Sequence, residues 1–383
     1  MLIRILTVRE HKSVVFCDVC SNNANRRQLL VEKNRFPDIH LKIGDVIDCE
    51  LKDGINNRGL PVIILENINH IYQPSNFSSY KSFSENSKNE DTGELQDLVS
   101  NFLNGGNAHA AHLLREAVLD FIERYMKEHG LHREYTPITT AYRGTSVASP
   151  QRAEGIYTGH RFIKITHELG LKIACYMTLQ SVYEIGYVCR DRYENQRNLN
   201  EFLTIEGIAT LDSDFCLSNF FYETWKKTIE IAKSLELEVN DDLKDIIVVD
   251  FVKEYGHTPK KEEVATCMEL YDKLVSEHLH MIITNAPIDS PLVYSEADNL
   301  ALETKWIFKG KGIGHGYKDE YRVENVYKSF EDQREALMAK NIDCDLPLDY
   351  LEMLSSSGFP TQSFVVGIER LISNVVDNNK IRG

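Results

Sequence analysis

No stretch of these 383 residues stays apolar for anything near the ~20 positions that a bilayer-spanning helix needs, which excludes a transmembrane helix within them. The opening, MLIRILTVREHKSV, returns to charge after a few apolar residues and carries no cleavage pattern, so no secretory leader is expected. Cysteines number eight but fall at no repeating interval, which argues against a disulfide framework and makes a reducing cytoplasm the simplest compartment. Basic charge is short: 43 Lys and Arg face 58 Asp and Glu, a formal net charge of −15. A protein that coats nucleic acid without regard to sequence is therefore not expected, because such binding rests on neutralising phosphates. A local basic patch around Arg26, Arg27 and Lys33 stays open, although a solvated loop is the plainer reading of those three.

The pair Cys17 and Cys20 forms a lone CxxC. A closed zinc site needs four ligands, and no second pair follows at finger spacing. Cys17 sits in the apolar run SVVFCDVC, so packing within a strand is expected instead.

With 42% hydrophobic residues, the chain can build two or three cores. Residues 1–73 hold five short runs rich in Val, Ile and Leu (MLIRILTV, SVVFCDVC, RQLLVEK, GDVIDCELK and PVIILENINHIY) separated by polar turns. Five strands in so short a span predict a small closed β-barrel of the OB type, with Phe16 and Phe36 as core residues rather than stacking platforms. Residues 74–108 are rich in Ser and Asn and read as a linker. From residue 109 a second domain runs to residue 383. Residues 113–129 carry apolar side chains at helical spacing, with Gly130 as a stop and Thr136-Pro137 ending an extended piece. Residues 181–210 form a predicted antiparallel hairpin in which Phe202, Thr204 and Glu206 share one face and Leu203 and Ile205 the other. Helices at 218–237 and 262–279, strands at 280–285 and 304–310, and a last helix near GIERLISNVV complete an α+β domain: an antiparallel sheet flanked by helices.

The hairpin concentrates unusual polar residues. Arg190 closes one strand, and its planar fork suits a carboxylate or a phosphate. Glu206 stands mid-strand, where a carboxylate is costly unless it meets water or a cation. Phe202 offers a flat ring to a purine. His167-Glu168 could open a zinc-protease helix, but position 171 is Leu where that motif needs a second histidine.

The segment CRDRYENQRNLNEFLTIE (189–206) resembles motif 2 of the class II aminoacyl-tRNA synthetases, lysyl branch. The helix and turn at 113–137 resemble motif 1, and SGFPTQSFVVGIERLI (357–372) resembles motif 3. RGTSVASP (143–150), FIKITHELGLK (162–172), IITNAPIDSPL (282–292) and FKGKGIGHGYKDE (308–320) match between these in the family's order. The resemblance implies ATP-dependent activation of lysine or a lysine-like amino acid, transfer to an acceptor such as tRNA, and a homodimer. It implies that Arg190 binds the amino acid's carboxylate and the α-phosphate, that Phe202 and Arg370 sandwich adenine, and that Glu201 and Arg197 serve ATP. Gly144, Glu168 and His315 would hold the amino acid, and Glu206 and Asp319 would face its side-chain ammonium.

Departures from the family pattern gather at the nucleotide and metal positions. The acid that contacts the adenine amine is Arg192, an asparagine and a proline are Leu199 and Asn200, and a tyrosine is Ile208. Two Mg²⁺-binding acids align with Lys305 and Gly312, two motif 3 glycines with Ser363 and Val365, and a side-chain glutamate is shortened to Asp319. Mg²⁺ depends on such carboxylates, so its protein ligands are expected to be weakened or missing. A divergent ligase, a silent paralogue that senses amino acid or tRNA, and a partner-binding subunit are the readings this leaves.

Overall fold

The computed structural model describes residues 1–21, 26–56, 58–73, 108–140, 162–190, 201–237, 239, 246–288, 292–296, 298–339 and 345–375. Gly144 and Arg197, together with Arg192, Leu199 and Asn200, lie outside them.

Strands β1 (Leu2–Glu10), β2 (Val14–Ser21), β3 (Arg26–Glu32), β4 (Val46–Ile55) and β5 (Pro61–Tyr72) close into a barrel of order β1-β2-β3-β5-β4. Alternation builds its core. In β2, Val15, Cys17 and Val19 are buried while Phe16, Asp18 and Cys20 alternate with them. Ile3, Ile5, Leu29, Val31, Ile47 and Leu65 fill the rest of the interior. Irregular register in β1 and β4 bends those strands enough to close the barrel. Burial pushes the Cys17 thiol up to about 12, so it packs as a small hydrophobe. Phe36 packs against the core, as expected, but Phe16 is half-buried on the outward face with its ring edge-on to His11. Arg27 pairs with Asp53 and Lys33 with Glu10 at 3.0 Å, so neither is an unopposed basic charge.

The second compact unit comprises Leu119–Lys227 and Asp241–Asn374. Strands β6 (His132–Arg133), β9 (Val182–Cys189), β10 (Glu201–Thr210), β11 (Ile247–Asp250), β12 (His280–Ile288), β13 (Ala301–Phe308), β14 (Lys311–Lys318) and β15 (Thr361–Gly367) make one sheet of order β11-β12-β13-β14-β15-β10-β9-β6. Two short strands, β7 (Thr139–Thr140) and β8 (Phe162–Ile163), pair apart from it. Pairing is antiparallel except at β11–β12 and β6–β9. Helix α1 (Ala108–Glu128) ends at Gly130, whose φ of 75° is the left-handed turn that glycine makes without strain. Helices α2 (Glu168–Thr178) and α3 (Leu217–Ser234) follow, the first directly after β8. After β15 the chain enters a short helix at Ile368–Val375. No helix among the described residues is long and apolar enough to cross a membrane.

The predicted hairpin is β9–β10, with Glu206 opposite Glu184 and Phe202 opposite Val188. Strand β10 is buried from Leu203 to Ala209: β9 and β15 take its two edges, and α2 packs against it. Gly207 is required there: a Cβ would run into the Phe364 ring on the neighbouring strand.

Candidate active site

A cavity of about 200 Å³ opens over the middle of the sheet. Arg190, Glu206 and Glu168 bring charge to its wall, and Thr166, His315, Tyr317 and Ser363 bring polar groups. Ile208, Ile288, Leu292, Phe364 and Val365 supply apolar surface. Segments far apart in the chain meet here: the β9–β10 hairpin, the start of α2, the end of β12 with Leu292 beyond it, and the β14–β15 pair.

Two glutamates directly opposed on neighbouring strands would repel each other. Glu206 and Glu184 are so placed, and the segment entering α2 resolves the conflict. On one side, Thr166 donates its hydroxyl to Glu206 Oε2, and the His167 backbone N–H donates to the same oxygen at 2.9 Å. On the other, Lys164 Nζ lies 2.8 Å and His167 Nδ1 3.1 Å from Glu184 Oε1. Thr136 completes that shell, giving its hydroxyl (2.6 Å) and its backbone N–H (2.8 Å) to Glu184 Oε2. Burial pushes the Glu184 carboxyl up, but hydrogen bonds and charge from His167, with help from Lys164 and Thr136, outweigh it and hold the group at about 2. Gly186 lets this happen, since a Cβ there would come within 2.8 Å of the His167 ring.

Arg190 donates from Nε to the Ile165 carbonyl at 3.4 Å, and its guanidinium lies 5.2 Å from the centre of the Phe202 ring. Arginine and ring thus share one end of the hairpin, with Glu206 farther along the Phe202 face of β10, although Phe202 does not itself line the cavity. Glu369 accepts from the Leu203 N–H at 2.9 Å, which brings Arg370 to the same end of β10 as Phe202. Arg370 donates to the Gly312 carbonyl at 3.0 Å. Glu201 is exposed at the start of β10.

Asp319 departs from expectation. It is buried and does not line the cavity. Thr361 donates to its Oδ2 at 2.6 Å and Ser363 to its Oδ1 at 2.7 Å, so it turns inward. Lys172, one helical turn after Glu168, bridges the two acids: Nζ is 2.7 Å from Glu168 Oε1 and 3.0 Å from Asp319 Oδ1. Tyr317 donates its hydroxyl to Glu168 Oε1 at 3.1 Å. Burial opposes charge on Lys172, yet attraction by Asp319 and Glu168 outweighs it and holds the ammonium well above the ordinary lysine range.

With this geometry in view, relatives can be compared. The sequence profile of the family described as "tRNA synthetases class II (D, K and N)" matches residues 101–383, well over half of the chain. The chain belongs to this family. It is 24% identical over 388 residues to a lysine–tRNA ligase of Mycoplasmopsis synoviae (strain 53), covering 90% of this chain and 76% of that protein. A lysine–tRNA ligase of Coxiella burnetii (strain Dugway 5J108-111) is 25% identical over 317 residues, 72% of this chain and 64% of its own length. The chain thus spans about two thirds to three quarters of the length of these two relatives. A crystal structure of asparaginyl-tRNA synthetase from Pyrococcus horikoshii, complexed with asparaginyl-adenylate, superposes with a TM-score of 0.69 at 16% identity, over 99% of this chain and 92% of that one. The shared fold is a five-stranded barrel plus a large antiparallel sheet flanked by helices.

The synthetase family's Mg²⁺ finds a poor fit in the residues present. Lys305 stands where one metal-binding acid is expected, its Nζ 2.6 Å from Glu303 Oε1 and 5.2 Å from the Tyr271 ring centre. Gly312 supplies no side chain at the other position. Among the described residues no cluster of three or more His, Cys, Asp or Glu could hold a metal ion. Val365, facing Glu206 on β10 and His315 on β14, fills wall space that glycine would leave open.

Several site residues escaped the sequence reading. Lys172, Thr166, Glu184 and Tyr317 carry the site's hydrogen bonds yet were not singled out. The helical i, i+4 spacing of Glu168 and Lys172 was the one local signal for them. Nothing local marks Glu184 as the partner of Lys164.

Proposed function

We propose that this protein activates an amino acid, lysine or a lysine-like amine, with ATP to form the aminoacyl-adenylate, and passes it to tRNA as a homodimer. The observation that carries this reading is the placement of Arg190, Glu206 and Glu168 on the wall of one cavity, with Phe202 under the arginine. A guanidinium held by the Ile165 carbonyl and a ring can grip the amino acid's carboxylate and the α-phosphate together, neutralising charge where the two anions must approach. The carboxylate oxygen then attacks the α-phosphorus in line, and the bond to pyrophosphate breaks. Glu168 receives the α-amino group and Glu206 the side-chain ammonium. Phe202 and Arg370, at one end of β10, take the two faces of adenine, while Arg197 and Gly144 keep the roles that the resemblance implies. No step is assigned to a protein-held metal, because Lys305 and Gly312 occupy those positions. Exposed Tyr135, in the motif 1-like segment, and Ile138, just after it, offer apolar surface for the second subunit.

ATP–pyrophosphate exchange screened across the amino acids tests the proposal. Exchange that depends on lysine or a close analogue supports it; absence of exchange with every amino acid overturns it. Lys305 favours one second reading, a silent synthetase paralogue that binds an amino acid or tRNA as a regulator. Tight lysine binding by calorimetry without exchange would establish that reading instead.

A further inference from the structure

The Glu168–Lys172–Asp319 cluster has the composition of an ammonium-binding site whose ligand is part of the chain. Two carboxylate oxygens flank the ammonium, Glu168 Oε1 at 2.7 Å and Asp319 Oδ1 at 3.0 Å from Nζ, and the Tyr317 hydroxyl donates to that same glutamate oxygen. Thr361 donates to Asp319 Oδ2, and Ser363 and Lys172 share Oδ1, so both oxygens of this buried carboxylate are already engaged by the chain. The lysine side chain is fully buried. Taking such a charge out of water is tolerated only with partners of this quality. Glu168 is the shared member: it lines the cavity and also faces Lys172.

We propose that Lys172 is a specificity-determining residue, a built-in alkylammonium that fills the hole between Glu168, Asp319 and Tyr317 and so removes Asp319 from amine reading. Resting on the activation reading above, this leaves Glu206 as the carboxylate that selects the side-chain amine of the amino acid. The geometry accounts for Ser363 as well, since its hydroxyl is one of the donors that turn Asp319 inward. A substrate ammonium aimed at Asp319 would have to displace a tethered one, and a tethered group holds its place at a far higher effective concentration.

Chemical complementation tests the hole without reference to activity. In the full-length protein, Lys172→Ala removes all of the side chain beyond Cβ, a fragment equal to propylammonium. The melting temperature of this variant should rise by about 4 °C at a propylammonium concentration ten times its dissociation constant. Wild type and Lys172→Met, in which the hole stays filled, should respond no more than they do to potassium chloride of equal ionic strength. An equal response in all three, or none in Lys172→Ala, overturns the proposal. A second variant covers the case in which Lys172→Ala does not fold. Asp319→Asn should keep the exchange preference for lysine over norleucine within about twofold of wild type, whereas Glu206→Gln should lose about 100-fold of it. Loss of preference in Asp319→Asn as large as in Glu206→Gln overturns the proposal. Absence of exchange in wild type would sink the activation reading alone, and propylammonium would still decide the role of Lys172.

Discussion

The barrel and the sheet unit solve burial in opposite ways. Inside the barrel the buried residues are Ile, Val, Leu and Cys, and the buried carboxylate among those described is Asp45, which accepts from the Lys42 backbone N–H at 2.8 Å and so fastens a turn. The sheet unit buries Lys164, His167, Glu168, Lys172, Glu184, Glu206, Glu303, Asp319 and Glu320. Area removed from water explains the first unit. It cannot explain the second, where each buried charge must be matched by a partner at hydrogen-bonding distance. The difference marks where this chain gives up simple packing for a network of buried, partnered charge.

The sharpest way to break that comparison is at Arg190. Arg190→Ala should lower amino-acid-dependent pyrophosphate exchange by about 1,000-fold or more, while the melting temperature stays within about 2 °C of wild type. A variant as active as wild type would show that the cavity is not the site. In the barrel the effect should invert. Leu29→Ala should cost about 3–5 kcal/mol in urea unfolding of the barrel transition, with the exchange rate unchanged below the melting range; lost exchange in folded protein would contradict it. Between these lies Glu184→Gln, which leaves Lys164 and His167 facing a neutral amide. Its folded value of about 2 lies below the ordinary 4.5, so the carboxylate's contribution is complete above about pH 4.5 and is lost as pH falls toward 2. Wild type should exceed the variant by about 3 kcal/mol at pH 7, and the two unfolding curves should converge toward pH 2. Curves that stay parallel would remove the charge from the account. Smallest of all is Arg9→Ala, which breaks a 2.7 Å ion pair with Asp18 on the barrel surface. Exposed pairs contribute less than about 1 kcal/mol, and a larger loss would mean that this pair is structural.

Legibility followed the same division. Alternating apolar residues in short runs made the barrel readable strand by strand, because each inward position asks only to be hydrophobic. Hairpin faces were readable too: Phe202, Thr204 and Glu206 share a side, as the two-residue period requires. What the sequence could not convey was pairing among buried charges. Glu206 looked like a carboxylate waiting for a cation, yet it is also the acceptor that holds the Thr166–His167 turn. Asp319, assigned by resemblance to the ammonium, is instead committed to Thr361, Ser363 and Lys172. Such partners come from separate segments of the chain (Thr361 and Asp319 are 42 residues apart, Thr166 and Glu206 40), and local spacing carries no trace of them.

Strand β10 is hydrogen-bonded along both edges, to β9 and to β15. A ladder on each side deprives the Glu206 backbone of any private freedom, for it cannot shift without dragging Glu184 on one neighbour and Val365 on the other. Under the proposed function, discrimination among amino acids at this wall would rest on static fit, and any opening and closing would fall to chain that lies off the sheet.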